Sequence, residues 1–134
     1  ITGTDADFIV KIIDQYPENH SNYEHNSKKI KMGGYQQLVR AEVIRGRFRE
    51  SFEFPKAFVP NQKTAVDVKL QDILQTFKIG HRIVVQVQST WFPYIDRNPQ
   101  NYVPNIFEAN ASDFKKSTIS IYGDSMIELG GQIK

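Results

Sequence analysis

Residues 7–14 read Asp7-Phe8-Ile9-Val10-Lys11-Ile12-Ile13-Asp14, and the run closes on Tyr16-Pro17. Branching at Cβ narrows side-chain freedom in a way that suits a pleated strand better than a crowded helix surface, so the isoleucines and valine favour β structure. Side chains alternate across a strand, which puts Phe8, Val10 and Ile12 on one side and Ile9 and Ile13 on the other with Lys11 between them. The stretch predicts a strand buried on one face and partly covered on the second. Pro17 has no N–H to give a ladder and ends it.

Outward from that strand, residues 18–34 are rich in Asn, Ser and Lys and finish on Gly33-Gly34, the composition of an exposed variable loop. Residues 35–48 return to strand character, with a change of phase after Val43 where Gly46 permits a bulge or bend. Phe52, Phe54, Phe58 and Val59 follow, punctuated by Pro55 and Pro60, which predicts an irregular crossing that buries aromatics. Val66, Val68 and Leu70 alternate with Ala65, Asp67 and Lys69, which predicts a one-sided strand over 64–70. A short helical turn is expected over 71–77 before Gly80. A further strand is expected over 81–90, with Ile83, Val85 and Val87 inward and a central place in the sheet. Residues 91–107 form a long aromatic loop broken by prolines. Two late strands, 118–122 and 126–129, are expected around a hairpin-like turn at Gly123-Asp124-Ser125. One helical turn among several short strands argues for an all-β sandwich or jelly roll with long connecting loops.

The 134 residues, 40% of them hydrophobic, suffice for one domain with a modest core, so residues 1–134 are read as a single β-sandwich. No apolar run approaches the roughly 18 residues of a membrane helix, and no membrane insertion is expected. Seventeen basic and fifteen acidic residues nearly cancel to +2, which gives no long-range pull toward nucleic acid. No cysteine is present, so disulfides, thiolate nucleophiles and Cys-rich zinc sites are excluded. The chain begins at Ile1 and reads as part of something longer.

An α/β-hydrolase nucleophile needs a strained Gly-x-Ser-x-Gly elbow, and none of the serines at 21, 27, 51, 89, 112, 117, 120 and 125 sits in one. No catalytic residue is therefore assigned. His81, after Gly80, suits a hydrogen bond to a neighbouring loop, a contact at a larger protein's cleft, or a catalytic base. His20, Glu24 and His25 share one loop, but zinc needs three or four fixed ligands, and the aspartates do not follow an EF-hand spacing. No metal or cofactor is expected. Arg45, Arg47 and Arg49 project from one side if the strand stays extended, a positive strip suited to pairing with carboxylates within the domain or across an interface. Trp91, Phe92, Tyr94, Tyr102 and Phe107 cap the core, dock on a partner, or offer a sugar platform. Asp96 and Asn98 can each form an Asx bond before Pro99 that fixes the direction of Arg97.

Residues 5–14, Arg45-Gly46-Arg47-Phe48-Arg49, Phe58-Val59-Pro60-Asn61, Gly80-His81-Arg82-Ile83 and the run from Gln88-Ser89-Thr90-Trp91 to Asp96-Arg97-Asn98-Pro99 resemble, in order, the C-terminal domain of X-Pro dipeptidyl-peptidase-like serine hydrolases. The α-amino acid ester hydrolases and glutaryl-7-aminocephalosporanic acid acylases look most similar, with cocaine esterase more distant. The resemblance implies a jelly-roll-like (galactose-binding-like) β-sandwich packed on an α/β-hydrolase domain that supplies the whole Ser-Asp-His triad. This domain would brace the catalytic domain and help wall its cleft, with Arg45, Arg47, Arg49, His81, Trp91, Phe92, Tyr94, Asp96, Arg97 and Asn98 as interdomain or cleft contacts. The implied partners are that hydrolase domain of the same polypeptide and, as in some relatives, further copies of the chain. The alternative is a carbohydrate-binding jelly-roll module carried by Trp91, Tyr94 and Tyr102. Family members carry at least one further strand before Thr4-Asp5-Ala6-Asp7, so one or more N-terminal strands are expected to be missing. Exported relatives favour a periplasmic or secreted location over a cytoplasmic one.

Overall fold

The computed structural model describes residues 1–25 and 27–131. Asn26, inside the anticipated 18–34 loop, and residues 132–134 lie outside them. The described residues form an all-β fold around one antiparallel sheet of three strands, β1 (Asp7–Gln15), β2 (Gln36–Arg45) and β3 (Arg82–Gln88), in the order β2-β1-β3. Single 3₁₀ turns occur at Gly46–Phe48, Ile106–Glu108 and Ala111–Asp113.

β1 runs down the middle because it alone is apolar on both sides. Phe8 and Ile12 are buried on one face, Ile9 and Ile13 on the other. On the first face Phe8 meets Phe58 edge-on at 6.1 Å, joined by Ala6 and flanked by Ile1, Ile44, Val66 and Ile119. This edge-to-face arrangement lets the positive rim of one ring meet the negative face of the other. The second face is better covered than the lone Lys11 suggested. Lys11 extends its ammonium over the Trp91 ring at 4.2 Å, so the 91–99 loop crosses this side.

The pairing of β1 with β2 slips once, between Ile12 and Ile13: Ile12 faces Arg40 while Ile13 faces Leu38, and Val39 is the extra residue of a bulge. At the other end of β2 the chain tightens into the 3₁₀ turn at Gly46. A Cβ there would lie 2.5 Å from Phe58 Cε2 and 2.8 Å from the Ala6 carbonyl oxygen, so the close approach admits only glycine.

Several expectations need correction. Residues 64–70 form no ladder, although Val66, Val68 and Leu70 are half-buried and the residues between them exposed. Their alternation reflects packing along the core face, and no described strand lies beside them to exchange hydrogen bonds. The 71–77 segment makes no helical turn, and Leu74 stands fully in solvent. β3 is an edge strand and not central. Ile83, Val85 and Val87 share the face of Ile12, but the core gathers at the Phe58 end, so all three remain half-exposed. Neither 118–122 nor 126–129 is a strand; the turn between them does form, closed by Ser125 N–H donating to the Tyr122 carbonyl at 3.0 Å.

The 18–34 loop is exposed for most of its described length but is tied down at its end. Met32 is buried, and its N–H donates to Asn22 Oδ1 at 2.9 Å.

Candidate docking surface

Two carboxylates near the start of the chain organise this end of the molecule. Asp7 of β1 lies directly opposite Arg45 of β2, and the guanidinium donates from Nε to Asp7 Oδ1 at 3.1 Å. Carrying the same register two residues further brings Asp5 opposite Arg47. There the match is tighter: Nε and Nη2 both donate to Asp5 Oδ2, at 2.8 and 2.6 Å, and Nη1 donates to the Val103 carbonyl at 2.8 Å. Arg47 also lies 4.4 Å from the centre of the Tyr102 ring. Arg49 turns back on the chain, donating to the carbonyls of Gly46, Lys56 and Ala57 and resting on Phe58. The 3₁₀ turn after Arg45 breaks the extended geometry on which a single outward strip depended, and each arginine finds acceptors within the chain.

Asn98 joins this network to the aromatic loop. Its Nδ2 donates to Asp7 Oδ1 at 2.8 Å, and its Oδ1 accepts from Gln100 N–H at 2.8 Å, the Asx bond expected there. Burial pushes the Asp7 carboxyl above its ordinary range, opposed by the Asn98 hydrogen bond and the Arg45 charge. The loop is fixed elsewhere too. Ile95 N–H donates to the Trp91 carbonyl at 3.0 Å, Lys115 N–H to the Pro99 carbonyl at 2.9 Å, and Thr4 N–H to the Gln100 carbonyl at 3.2 Å.

Trp91 packs against Tyr94 at 4.9 Å, with Lys11 on its ring, which removes Trp91 surface that a sugar would need. Phe92 and Tyr94 remain 62% and 77% exposed. Asp96 and Arg97 are also exposed, and Arg97 lies 5.3 Å from the Phe92 ring centre and 5.6 Å from that of Phe114.

His81 lies far from this loop, at the opposite end of the sheet. Its Nδ1 is 2.7 Å from Asp14 Oδ1, and Asp14 Oδ2 accepts from Gln75 at 3.1 Å. Both partners of the His81–Asp14 pair are buried, and the Tyr16 ring covers the imidazole at 4.5 Å. Among the described residues no serine hydroxyl hydrogen-bonds a histidine. His20 stacks beside Tyr16, and no group of three His, Asp or Glu residues is arranged to hold a metal among the described residues.

The structure thus gathers Arg45, Arg47 and Asn98 with Asp5 and Asp7, sets Trp91, Phe92, Tyr94, Asp96 and Arg97 on one loop beside them, and leaves His81 apart. Sequence reasoning missed the two aspartates as partners. Their spacing of two, matched by Arg45 and Arg47 also two apart on the neighbouring strand, is the signal that finds them.

A solved α-amino acid ester hydrolase is 47% identical over 85% of the chain, with a TM-score of 0.76, and an aminopeptidase from a marine sediment archaeon, Thaumarchaeota archaeon, is 46% identical over 85% with a TM-score of 0.74. The cocaine esterase of Rhodococcus sp. (strain MB1 Bresler) is 28% identical over 97 residues, 72% of the chain. The chain spans 18% of the length of each of the two structures and 14% of the esterase. The model of the X-Pro dipeptidyl-peptidase C-terminal non-catalytic domain matches residues 1–128. With nearly every residue inside that match, the chain belongs to the X-Pro dipeptidyl-peptidase C-terminal non-catalytic domain family.

Proposed function

We propose that this chain is the accessory module of a serine hydrolase, bracing an α/β-hydrolase domain of the same polypeptide and helping to shape the cleft in which that domain cleaves an ester or amide. In this reading the three-stranded sheet is part of a jelly-roll-like sandwich completed by polypeptide outside these residues.

The observation that carries the proposal is the surface. A folded monomer of 15.5 kDa exposes about 7,200 Å², whereas this chain exposes 10380 Å², an excess of roughly 3,000 Å². Much of what is exposed is large and apolar, including Phe52, Phe54, Leu74, Ile79 and Phe107. Large apolar side chains left in water are costly, and an excess of total surface on this scale matches what an extensive permanent interface covers. The 91–99 loop, rigid and aromatic, suits the part of that interface nearest the cleft. Arg45 and Arg47 act one step back, through Asp7, which Asn98 also bonds, and through the Val103 carbonyl, while Arg49 braces the 46–58 segment.

The test compares two preparations. The complete polypeptide is expected to release product from p-nitrophenyl esters or Ala-Pro and Gly-Pro anilides, with activity abolished by a serine-directed inhibitor. Residues 1–134 alone are expected to release none. Inhibitor-sensitive turnover by residues 1–134 alone overturns the reading, as does a complete polypeptide that never turns over either substrate class.

A further inference from the structure

We propose that Arg97 is the charged anchor of the docking surface, forming an ion pair with a carboxylate side chain of the hydrolase domain. This rests on the bracing role proposed above and names the group on the partner that the module recognises.

The first support is how the module treats its other arginines. Arg40 pairs with Glu42, Arg45 with Asp7, Arg47 with Asp5 and Arg49 with Glu50. Arg97 makes no hydrogen bond or ion pair among the described residues, so its five donors are unspent. It is nevertheless held. The Phe92 and Phe114 rings flank the guanidinium within the distance at which ring and cation attract. Its neighbour Asn98 is locked in the buried network through Asp7 and Gln100, and Pro99 is bonded to Lys115. A long side chain with free donors ordinarily loses much rotamer freedom when it binds. Rings and a pinned backbone remove part of that cost beforehand, which is preorganisation for a partner.

The second support is the surroundings. Exposed Phe92 and Tyr94 stand on the same short loop, and an arginine ringed by aromatics is the composition that dominates binding energy at protein interfaces. Once apolar rings are covered, water is excluded around the guanidinium, and a carboxylate that accepts both prongs of its fork gains strength and fixed orientation. Arg82 serves as the contrast. It too makes no ion pair among the described residues, but it sits exposed at the start of β3 with no ring contact.

The experiment uses the complete polypeptide. Its crystal structure is expected to show a carboxylate oxygen from outside residues 1–134 within about 4 Å of the Arg97 guanidinium. Arg97→Met is expected to speed amide hydrogen exchange over residues 91–99 by about tenfold or more, Arg97→Lys to restore only part of the protection, and Arg82→Met to leave it within about twofold. A module docked through another face, with Arg97 in solvent, overturns the anchor and leaves the bracing role standing. A module that contacts no hydrolase domain overturns both. Unchanged exchange in Arg97→Met overturns the anchor even where a carboxylate lies nearby.

Discussion

Arg47 spends two of its nitrogens on a single oxygen of Asp5, and the other oxygen of Asp5 accepts the N–H of Ala6 at 2.9 Å, so a fully buried carboxylate is answered on both sides. Two charges taken out of water cost several kcal/mol each, and only such complete pairing offsets it. Arg47→Met leaves Asp5 buried and uncompensated. It is expected to lower stability by about 3–5 kcal/mol, read from urea unfolding of the complete polypeptide, whereas Asp5→Leu combined with Arg47→Met recovers most of the loss. A single substitution costing no more than the pair together contradicts this account.

Asn98 is the joint between the buried network and the aromatic loop. Asn98→Ala strips Asp7 of a donor and Gln100 N–H of an acceptor, and a loss of about 1–3 kcal/mol is expected. Asn98→Asp sets a second carboxylate against Asp7 and should cost more at neutral pH than near pH 4, as the added repulsion is relieved by protonation. Equal costs at both pH values would remove charge from the explanation.

Asp7 itself provides a pH signature. Burial raises its folded-state pKa above the ordinary 3.8, so between those two values the native state binds more protons than the unfolded chain. Its contribution to stability therefore falls as pH rises through that window. Relative to Asp7→Asn, which does not titrate there, the wild type is expected to lose stability as pH rises above the ordinary 3.8. Arg45→Met removes a lowering influence and should move the window upward, visible in the carboxyl resonance of Asp7 by NMR. A wild type that gains on Asp7→Asn with rising pH would reverse the sign and defeat the argument.

Gly46→Ala drives a methyl into Phe58 and the Ala6 carbonyl. Overpacking of this kind costs about 1–3 kcal/mol, and thermal unfolding should show a clear fall in midpoint. An unchanged midpoint would mean that the 3₁₀ turn shifts freely, contrary to the Gly46 N–H bond of 2.8 Å to Ala6 that holds it in register.

His81→Ala removes one of the two side chains that answer the buried Asp14 carboxylate, leaving Gln75. A loss of about 1–3 kcal/mol is expected, with faster amide exchange over residues 71–80, and no effect on turnover beyond that stability loss. A fall in kcat at full folding would give His81 a role that its position beneath Tyr16 does not provide.

The sequence carried β1 plainly, since an apolar run with β-branched residues on both faces has few other homes. It also carried β2, β3 and the break at Gly46. Residues 64–70 misled because alternation reports which face is packed and says nothing about whether a neighbouring strand exists to pair with. Ile83, Val85 and Val87 read as core and so argue for a central β3, yet burial depends on what lies above a face, and the core gathers around Phe8 and Phe58. Of the site, the Asx bond at Asn98 was legible because it is local. The link from Asp5 to Arg47 crosses 42 positions and follows from the strand register, whereas that from Asn98 to Asp7 crosses 91 and depends on how the 91–99 loop folds back on β1.

The two borders of the sheet are not alike. Beyond β2, the extra residue Val39 kinks the strand and spoils the regular spacing that a newcomer would need, while β3 pairs with β1 without a slip along its seven residues. Growth of the sheet is therefore directional. A further strand pairing with this sheet is expected on the β3 side, and a lysine or proline placed outward on β3 is expected to hinder it.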